Sequence, residues 1–316
     1  MNCDLPVRLD TYRGCGFACG YCLERLKRSG DCEPQPEEGV RALRAFILGK
    51  RTVHTNWCDW DIPLHWGGMS DPFQPAELRY GRSLAMLRVF ADTGYPFVVS
   101  TKSTMLLHPP YRDLVRRCNV VLQVSLCSPQ YARWERGAPS FGDRLLMLWK
   151  LAPIVKRVIV RIQPYMPRIK SDVLHWLRFY AASGVYGITI EGLKWNEGWG
   201  ELTENYGGSM VYPVGRLAPD YAEISQAAHD VGLRFYCAEN RLRFMGDSPT
   251  CCGCDGLSGF RVNEANMNYY PILYTERMRE SGTGSVFRSL SWTAEASRRF
   301  GAMSYEEAML DVISGC

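Results

Sequence analysis

Short apolar, β-branched runs alternate with longer stretches of helical periodicity along most of this chain, and that alternation constrains the fold more than any other feature. The runs Val7–Thr11, Pro63–Gly67, Pro96–Ser100, Val120–Ser125, Arg157–Gln163, Tyr186–Glu191 and Leu233–Cys237 read as strands. Between them, Val40–Leu48, Ala76–Asp92, Tyr111–Arg117, Phe141–Leu151, Asp172–Ser183 and Pro219–Val231 carry apolar residues at helical spacing. Gly94, Gly184 and Gly232 each end a helical stretch just before a strand, where a left-handed C-terminal cap belongs. Strand–helix–strand repetition calls for a parallel sheet with crossover helices. The expectation is an α/β fold: a partial (β/α)6 TIM-like barrel over residues 1–235, then a Cys-rich C-terminal region, 236–316, with a terminal helix over Thr293–Ile313. Catalytic groups in such folds gather at the C-terminal ends of the strands.

Composition narrows the class. Apolar residues make up 46% of the 316 positions, enough for a sizeable core, and no apolar run reaches the ~18 residues of a membrane-spanning helix. The start, Met-Asn-Cys-Asp-Leu-Pro, has neither the basic head nor the apolar body of a secretory signal. Thirteen Cys without such a signal speak against a disulfide scaffold and for a reducing cytoplasm. A net charge of +4 permits an anionic partner without demanding one.

Cys15, Cys19 and Cys22 stand in the run Arg13-Gly-Cys-Gly-Phe-Ala-Cys-Gly-Tyr-Cys22, a C-x3-C-x2-C cluster directly after the first expected strand. Thiolates this close on a Gly-punctuated loop select zinc or an iron–sulfur cluster. With no fourth Cys nearby, a [4Fe–4S] cube would keep one iron open to a small molecule, the logic of a catalytic metal site. A zinc knot and ordinary buried thiols are the alternatives. The spacing, with Tyr21 just before the third Cys, resembles the signature loop of the radical S-adenosylmethionine (SAM) enzymes.

Three further stretches sharpen the resemblance: Trp66-Gly-Gly-Met-Ser-Asp-Pro-Phe-Gln-Pro-Ala-Glu77, Ser100-Thr-Lys-Ser103 followed by Tyr111-Arg-Asp113, and Val124-Ser125 leading to Glu135-Arg-Gly-Ala-Pro-Ser-Phe-Gly-Asp-Arg144. In this order, over roughly residues 7–195, they are similar to motifs of the spore photoproduct lyase-like subfamily of radical SAM proteins. The resemblance implies that Cys15, Cys19 and Cys22 ligate a [4Fe–4S] cluster and that SAM fills its open iron. It further implies cofactor-binding roles for Tyr21, for Gly67 and Gly68 at the SAM amino group, for Lys102 at its carboxylate and for Ser125 at its ribose. Arg161 interrupts the apolar run Val158-Ile-Val-Arg-Ile-Gln163, so its guanidinium must find a partner, either a cofactor carboxylate or a protein acid. The implied activity is reductive cleavage of SAM to a 5′-deoxyadenosyl radical that abstracts hydrogen from a substrate, a nucleobase or nucleotide by family analogy, with a flavodoxin or ferredoxin as electron donor. Spore photoproduct lyases proper carry a hydrogen-donating Cys where this chain has Gly68, which puts thymine-dimer repair in doubt; Cys127 and Cys58 are the nearest replacement candidates in sequence.

A second group, Cys237, Cys251, Cys252 and Cys254, reads as an auxiliary iron–sulfur site held by Cys237, Cys251 and Cys254, with Cys252, Cys316 or a substrate as fourth ligand. The expectation puts it near the barrel mouth, with a zinc site or packed thiols as rivals. The stretch Lys194–Pro213, rich in Gly and aromatics, reads as a long loop on the active face, where Trp195, Trp199 and Tyr206 could stack on a flat substrate. A peptide or protein substrate is the alternative within the enzyme class, because auxiliary clusters accompany peptide-modifying members of the wider superfamily. A non-catalytic metal-binding regulatory module is the alternative outside it.

Overall fold

The computed structural model describes residues 8–23, 32–50, 63–248 and 250–260, together with residue 5. Cys58, Cys316 and the expected terminal helix Thr293–Ile313 lie outside the described residues. In chain order the elements are β1 (Arg8–Leu9), β2 (Tyr12–Arg13), β3 (Glu33–Pro34), α1 (Glu38–Ile47), β4 (Leu64–Trp66), α2 (Glu77–Tyr80), α3 (Arg82–Thr93), β5 (Phe97–Thr101), α4 (Tyr111–Val115) and β6 (Val120–Ser125). They continue with α5 (Phe141–Leu151), β7 (Arg157–Tyr165), α6 (Lys170–Ala182), β8 (Gly187–Gly192), β9 (Lys194–Trp195), β10 (Glu204–Tyr206), β11 (Ser209–Val211), α7 (Val214–Asp230) and β12 (Arg234–Cys237).

Seven strands form one parallel sheet in the order β1-β4-β5-β6-β7-β8-β12. Spatial order follows chain order, so every crossover adds its strand at the same edge, as in one arc of a barrel. The α/β expectation and all seven strand positions hold. Gly94, at φ +66°, caps α3 as expected, donating its N–H to Phe90 O.

Three boundaries differ from the sequence reading. The stretch Ala76–Asp92 is two helices, because Gly81 takes φ +62° between α2 and α3. β7 runs on to Tyr165 through a register irregularity that accommodates Pro164. α7 begins at Val214 rather than at Pro219, which sits inside it. Burial of Leu217 with Tyr221 and Ile224 supports the extra N-terminal turn despite the missing N–H.

Side chains alternate across the sheet. Phe97, Val99, Leu122, Val124, Val158, Val160, Ile162, Ile188, Ile190 and Phe235 join the main core shared with the helices. The opposite set faces the inside of the arc: Val98, Val121, Ile159 and Tyr236 toward the strand N-termini, then His65, Ser100, Gln123, Arg161, Thr189 and Glu191 toward the C-termini. The lumen is therefore apolar at its floor and polar at its mouth. The floor is sealed by residues 250–260. Arg157, the first residue of β7, donates to Gly253 O at 2.6 Å and to Asp255 O at 2.9 Å, while Cys252, Cys254 and Phe260 are buried.

Candidate cluster loop and barrel mouth

The Cys loop follows the β1–β2 turn at the C-terminal edge of the sheet. Its backbone reverses at Gly14, φ +79°, and at Ala18, φ +46°, the one non-glycine among the described residues in the left-handed region. Such backbone in a non-glycine costs of order 1 kcal/mol and gathers at functional sites. Cys22 N donates to Cys19 O at 3.1 Å and Ala18 N to Cys15 O at 3.2 Å, folding the loop back on itself. Burial pushes the Cys15 thiol up to about 12, with Asp71 and Cys19 adding to the shift. Burial also raises Cys19, with Lys102 opposing and Glu135 and Cys22 adding. Thiols so placed become thiolates only beside a strong positive charge, and a bound metal supplies one while releasing their protons. Among the described residues no three His, Cys, Asp or Glu side chains converge tightly enough for a single metal ion. A four-iron cube, whose thiolates bind different irons, asks for a wider spread of sulfurs than a single ion does.

Each of the motif stretches turns out to grip this loop. Gln74, fully buried, accepts from Gly16 N at 2.6 Å and donates to Gly14 O at 3.1 Å, clasping the backbone on both sides of Cys15. Ser70 donates to Tyr12 O at 2.8 Å, and Asp10 accepts from Met69 N and Ser70 N at 3.0 Å each. Glu77, 1% exposed, accepts from the Tyr12 hydroxyl and, at 2.8 Å each, from Tyr111 Oη, Ser83 N and Leu84 N. The break at Gly81 lets this carboxylate swing onto the N-terminus of α3, where exposed amides and the helix dipole favour a negative charge. On the far side, the Tyr21 hydroxyl and Arg144 both donate to Glu135, and Arg144 also donates to Ser125 O at 2.8 Å. Gly137 admits the loop backbone closely: a Cβ there would lie 2.7 Å from Phe17 O and 2.9 Å from Gly16 O.

Four of the expected cofactor residues surround the loop and the mouth. Lys102 follows β5 with its ammonium 5.7 Å from the Tyr21 ring centroid. Burial alone would lower its pKa, but the neighbouring Cys19, Glu135 and Cys127 outweigh it and raise it, so the charge is kept. Asp71 fixes the backbone there, accepting from Lys102 N at 2.6 Å and from Thr101 Oγ1 at 2.8 Å. Ser125 ends β6 and pairs in register with Arg161 on β7. Gly67 has a reason of its own: at φ +84°, a Cβ would sit 2.5 Å from Ser100 O and 2.8 Å from Pro72. Its neighbour Gly68 lacks that constraint, a Cβ there reaching only Arg8 at 3.6 Å.

Among the described residues the partners of Arg161 are neutral oxygens, Ser100 Oγ and Gln123 Oε1 at 3.0 Å each and Gln163 Oε1, which leaves of the two expected partners the cofactor carboxylate. These bonds belong to a belt that crosses the lumen side. His65 Nε2 lies 3.1 Å from Ser100 Oγ, which donates to Gln123 at 2.9 Å; Gln163 in turn donates to Glu191, and Lys194 pairs with Glu191. Thr189, 3% exposed and between Arg161 and Tyr236 in register, has a hydroxyl without a hydrogen-bond partner among the described residues. Sequence reasoning found only Arg161, because the others interrupt their strands singly and look like ordinary strand polars.

The expected loop over 194–213 is instead a small antiparallel sheet, order β10-β11-β9. Trp195 and Trp199 meet at 5.4 Å between ring centroids with their planes tilted by 52°, and Arg241 lies 5.4 Å over the Tyr206 ring. Cys127, just past β6, is 3% exposed, its Sγ donating to Arg161 O at 3.8 Å, and Glu135, Lys102 and Arg144 act on its thiol from nearby. Cys237 belongs to the main core with Phe235, whereas Cys252 and Cys254 are buried outside the main core, in the segment that seals the floor. The Cys-rich segment meets β7 at Arg157 and also reaches the belt, where Gln123 Nε2 donates to Cys252 O at 3.2 Å.

No known protein-family profile matches the chain. Uncharacterised proteins of Mycobacterium tuberculosis and Mycobacterium bovis are 28% identical over 204 residues, covering 60% of this chain and 59% of theirs, so the chain spans well under two thirds of the curated relatives it matches. Among solved structures, a spore photoproduct lyase variant with bound AdoMet and dinucleoside spore photoproduct superimposes with TM-score 0.54 at 15% identity, over 73% of this chain and 75% of that one. Streptococcus suis SuiB bound to S-adenosylmethionine gives 0.51 at 11% identity, over 75% and 51%. The same protein bound to precursor peptide SuiA gives 0.53 at 13% identity, over 93% and 56%. At these identities the likeness shows the fold, and it is the fold that the sequence motifs implied.

Proposed function

We propose that this chain is a radical SAM enzyme of the spore photoproduct lyase-like kind. Cys15, Cys19 and Cys22 would hold the [4Fe–4S] cluster. Lys102, Gly68, Ser125 and Tyr21 would surround SAM at the strand C-termini, and Arg161 would bridge toward the substrate. When bound, the pair supplies reductive sulfonium cleavage and a 5′-deoxyadenosyl radical. The protein's part is to position both partners and to keep water from the reacting carbon. The observation that carries this reading is that Gln74 and Glu135, from widely separated stretches, both meet one short Cys loop, with Glu77 holding Tyr12 just ahead of it and Arg144 holding Glu135.

A nucleobase or nucleotide is the favoured substrate class. The lumen offers planar hydrogen-bonding groups in Gln123, Arg161 and Gln163, and the Trp195–Trp199 pair offers a stacking surface near the mouth. A dinucleoside occupies the spore photoproduct lyase structure, whereas the precursor peptide on SuiB keeps a peptide substrate as the second reading. The test uses anaerobically reconstituted protein. The wild type should be brown, absorb near ~400 nm and release methionine and 5′-deoxyadenosine under dithionite. Replacing Cys15, Cys19 and Cys22 together by Ala should abolish both colour and release. A colourless zinc protein would overturn the reading and favour a metal-binding regulatory module, and full cleavage by the triple variant would remove the three cysteines as the cluster's ligands.

A further inference from the structure

Next to the Cys loop, the chain builds a cationic surface that nothing in the site so far uses. The turn Pro129–Arg133 delivers Trp134 against the loop: Trp134 O accepts from Gly20 N at 2.8 Å, and a Cβ on Gly20 would lie 3.3 Å from the indole. The indole also meets the Tyr21 ring edge-on at 6.5 Å. Two guanidiniums cover its faces, Arg133 at 4.3 Å and Arg168 at 4.2 Å from the ring centroid. Arg136 stands beside them, its Nε donating to Arg133 O at 3.2 Å.

All three arginines are exposed, and no carboxylate among the described residues pairs with any of them. The acids on the adjoining helices are engaged otherwise. Asp143 completes a capping box with Ser140, and Asp172 accepts from Ser128 and Gln130. Tyr131, directly below, belongs to the sheet–helix core, so the patch sits on the rim outside the lumen. On this side Gly16, Ala18 and Gly20 of the loop are themselves exposed. Three like charges held together with no counterion among the described residues cost free energy, which an acidic partner would recover.

We propose that Arg133, Trp134, Arg136 and Arg168 form the docking surface for an acidic one-electron carrier protein of flavodoxin type. The proposal rests on the reading of Cys15, Cys19 and Cys22 as cluster ligands and adds where the electron enters. The transfer balances simply: the carrier is oxidised by one electron, the cluster is reduced by one, and no bond forms or breaks. Trp134 bridges the arginine rim to Gly20 and Tyr21, which flank two of the cluster cysteines, so a carrier seated there lies against the loop rather than across the substrate's entrance.

The test compares reconstituted wild-type holoenzyme with the variant Arg133→Glu/Arg136→Glu/Arg168→Glu and its milder all-Gln counterpart. Three readouts are taken: the affinity for oxidised flavodoxin at low and moderate salt, the rate of cluster bleaching by photoreduced flavodoxin, and SAM cleavage driven by dithionite. The Glu variant should lose about tenfold or more in flavodoxin affinity and bleaching rate, the Gln variant less, and wild-type binding should weaken steeply with salt. Dithionite-driven cleavage should stay within about twofold, because the arginines touch neither cluster nor substrate. Unchanged flavodoxin affinity, or equal loss with both reductants, overturns the proposal while leaving the cluster reading intact. Loss of single-stranded oligothymidylate binding with flavodoxin coupling unchanged overturns it in favour of a nucleic-acid rim. A wild type that takes up no cluster removes the premise and the proposal together.

Discussion

Glu135 and Arg144 meet with 2% and 3% of their side chains exposed, so each ion has given up nearly all of its water. Their attraction offsets that loss only because the surroundings complete it: Tyr21 donates to the same carboxylate, and Ser125 O accepts from the same guanidinium. Removing one partner strands the other charge in low dielectric. Arg144→Met should therefore destabilise the protein by about 3–5 kcal/mol in urea unfolding. It should also loosen the Cys loop through Tyr21, so that iron occupancy after reconstitution falls below that of wild type. A stability change under about 1 kcal/mol would show that Glu135 finds another cation or takes up a proton on its own.

The segment that seals the barrel floor has little apolar surface of its own, and its fit depends on backbone approach. Gly253 takes φ +72°, and a Cβ there would lie 2.6 Å from Ile159 Cδ1 and 3.5 Å from the Tyr236 ring. Ile159 stands fully buried on a central strand, so it has nowhere to retreat. Gly253→Ala should cost about 1–3 kcal/mol, combining left-handed strain with overpacking. Ile159→Val, which deletes the clashing methyl, should recover part of that loss in the double variant, and a strictly additive pair would refute the contact. The small β9–β11 sheet shows the opposite balance. It is anchored by side chains, with Lys194 on Glu191 and Arg241 on both Glu204 and Glu239.

Across the whole molecule, the two ends of the barrel have different work. The C-terminal mouth gathers the Cys loop, Lys102 and the polar belt, while the N-terminal floor is filled by Val98, Val121, Ile159 and Tyr236 over buried Cys252 and Cys254. Cys237 belongs to the main core with Cys251 near enough to act on its thiol, while Cys254 is buried in the floor segment outside that core. Iron analysis of the reconstituted full chain should accordingly give about four irons per protein, the content of one cube. About eight would establish a second centre and restore the three-cysteine set Cys237, Cys251 and Cys254 as its ligands.

Local pattern was enough to determine the βα rhythm, the glycine caps and the Cys loop, because periodicity, left-handed caps and ligand spacing are properties of neighbours in the chain. The motif stretches were visible too, as strings, and with them the expectation of a shared fold. What their residues do was not visible. Gln74 reads as an ordinary loop amide until the fold sets it across Gly14 and Gly16, and Glu77 as a helix-start acid until Gly81 turns it under Tyr12 and Tyr111. The belt His65–Ser100–Gln123–Arg161–Gln163–Glu191 draws on five different strands, and a sequence records none of their registers. The cysteines of residues 251–254 sat close enough to suggest a ligand set, but only the tertiary structure decided that Cys252 and Cys254 enter the floor. Spacing along a chain fixes which groups can meet locally, whereas the crossover order of a parallel barrel fixes which end and which face they reach.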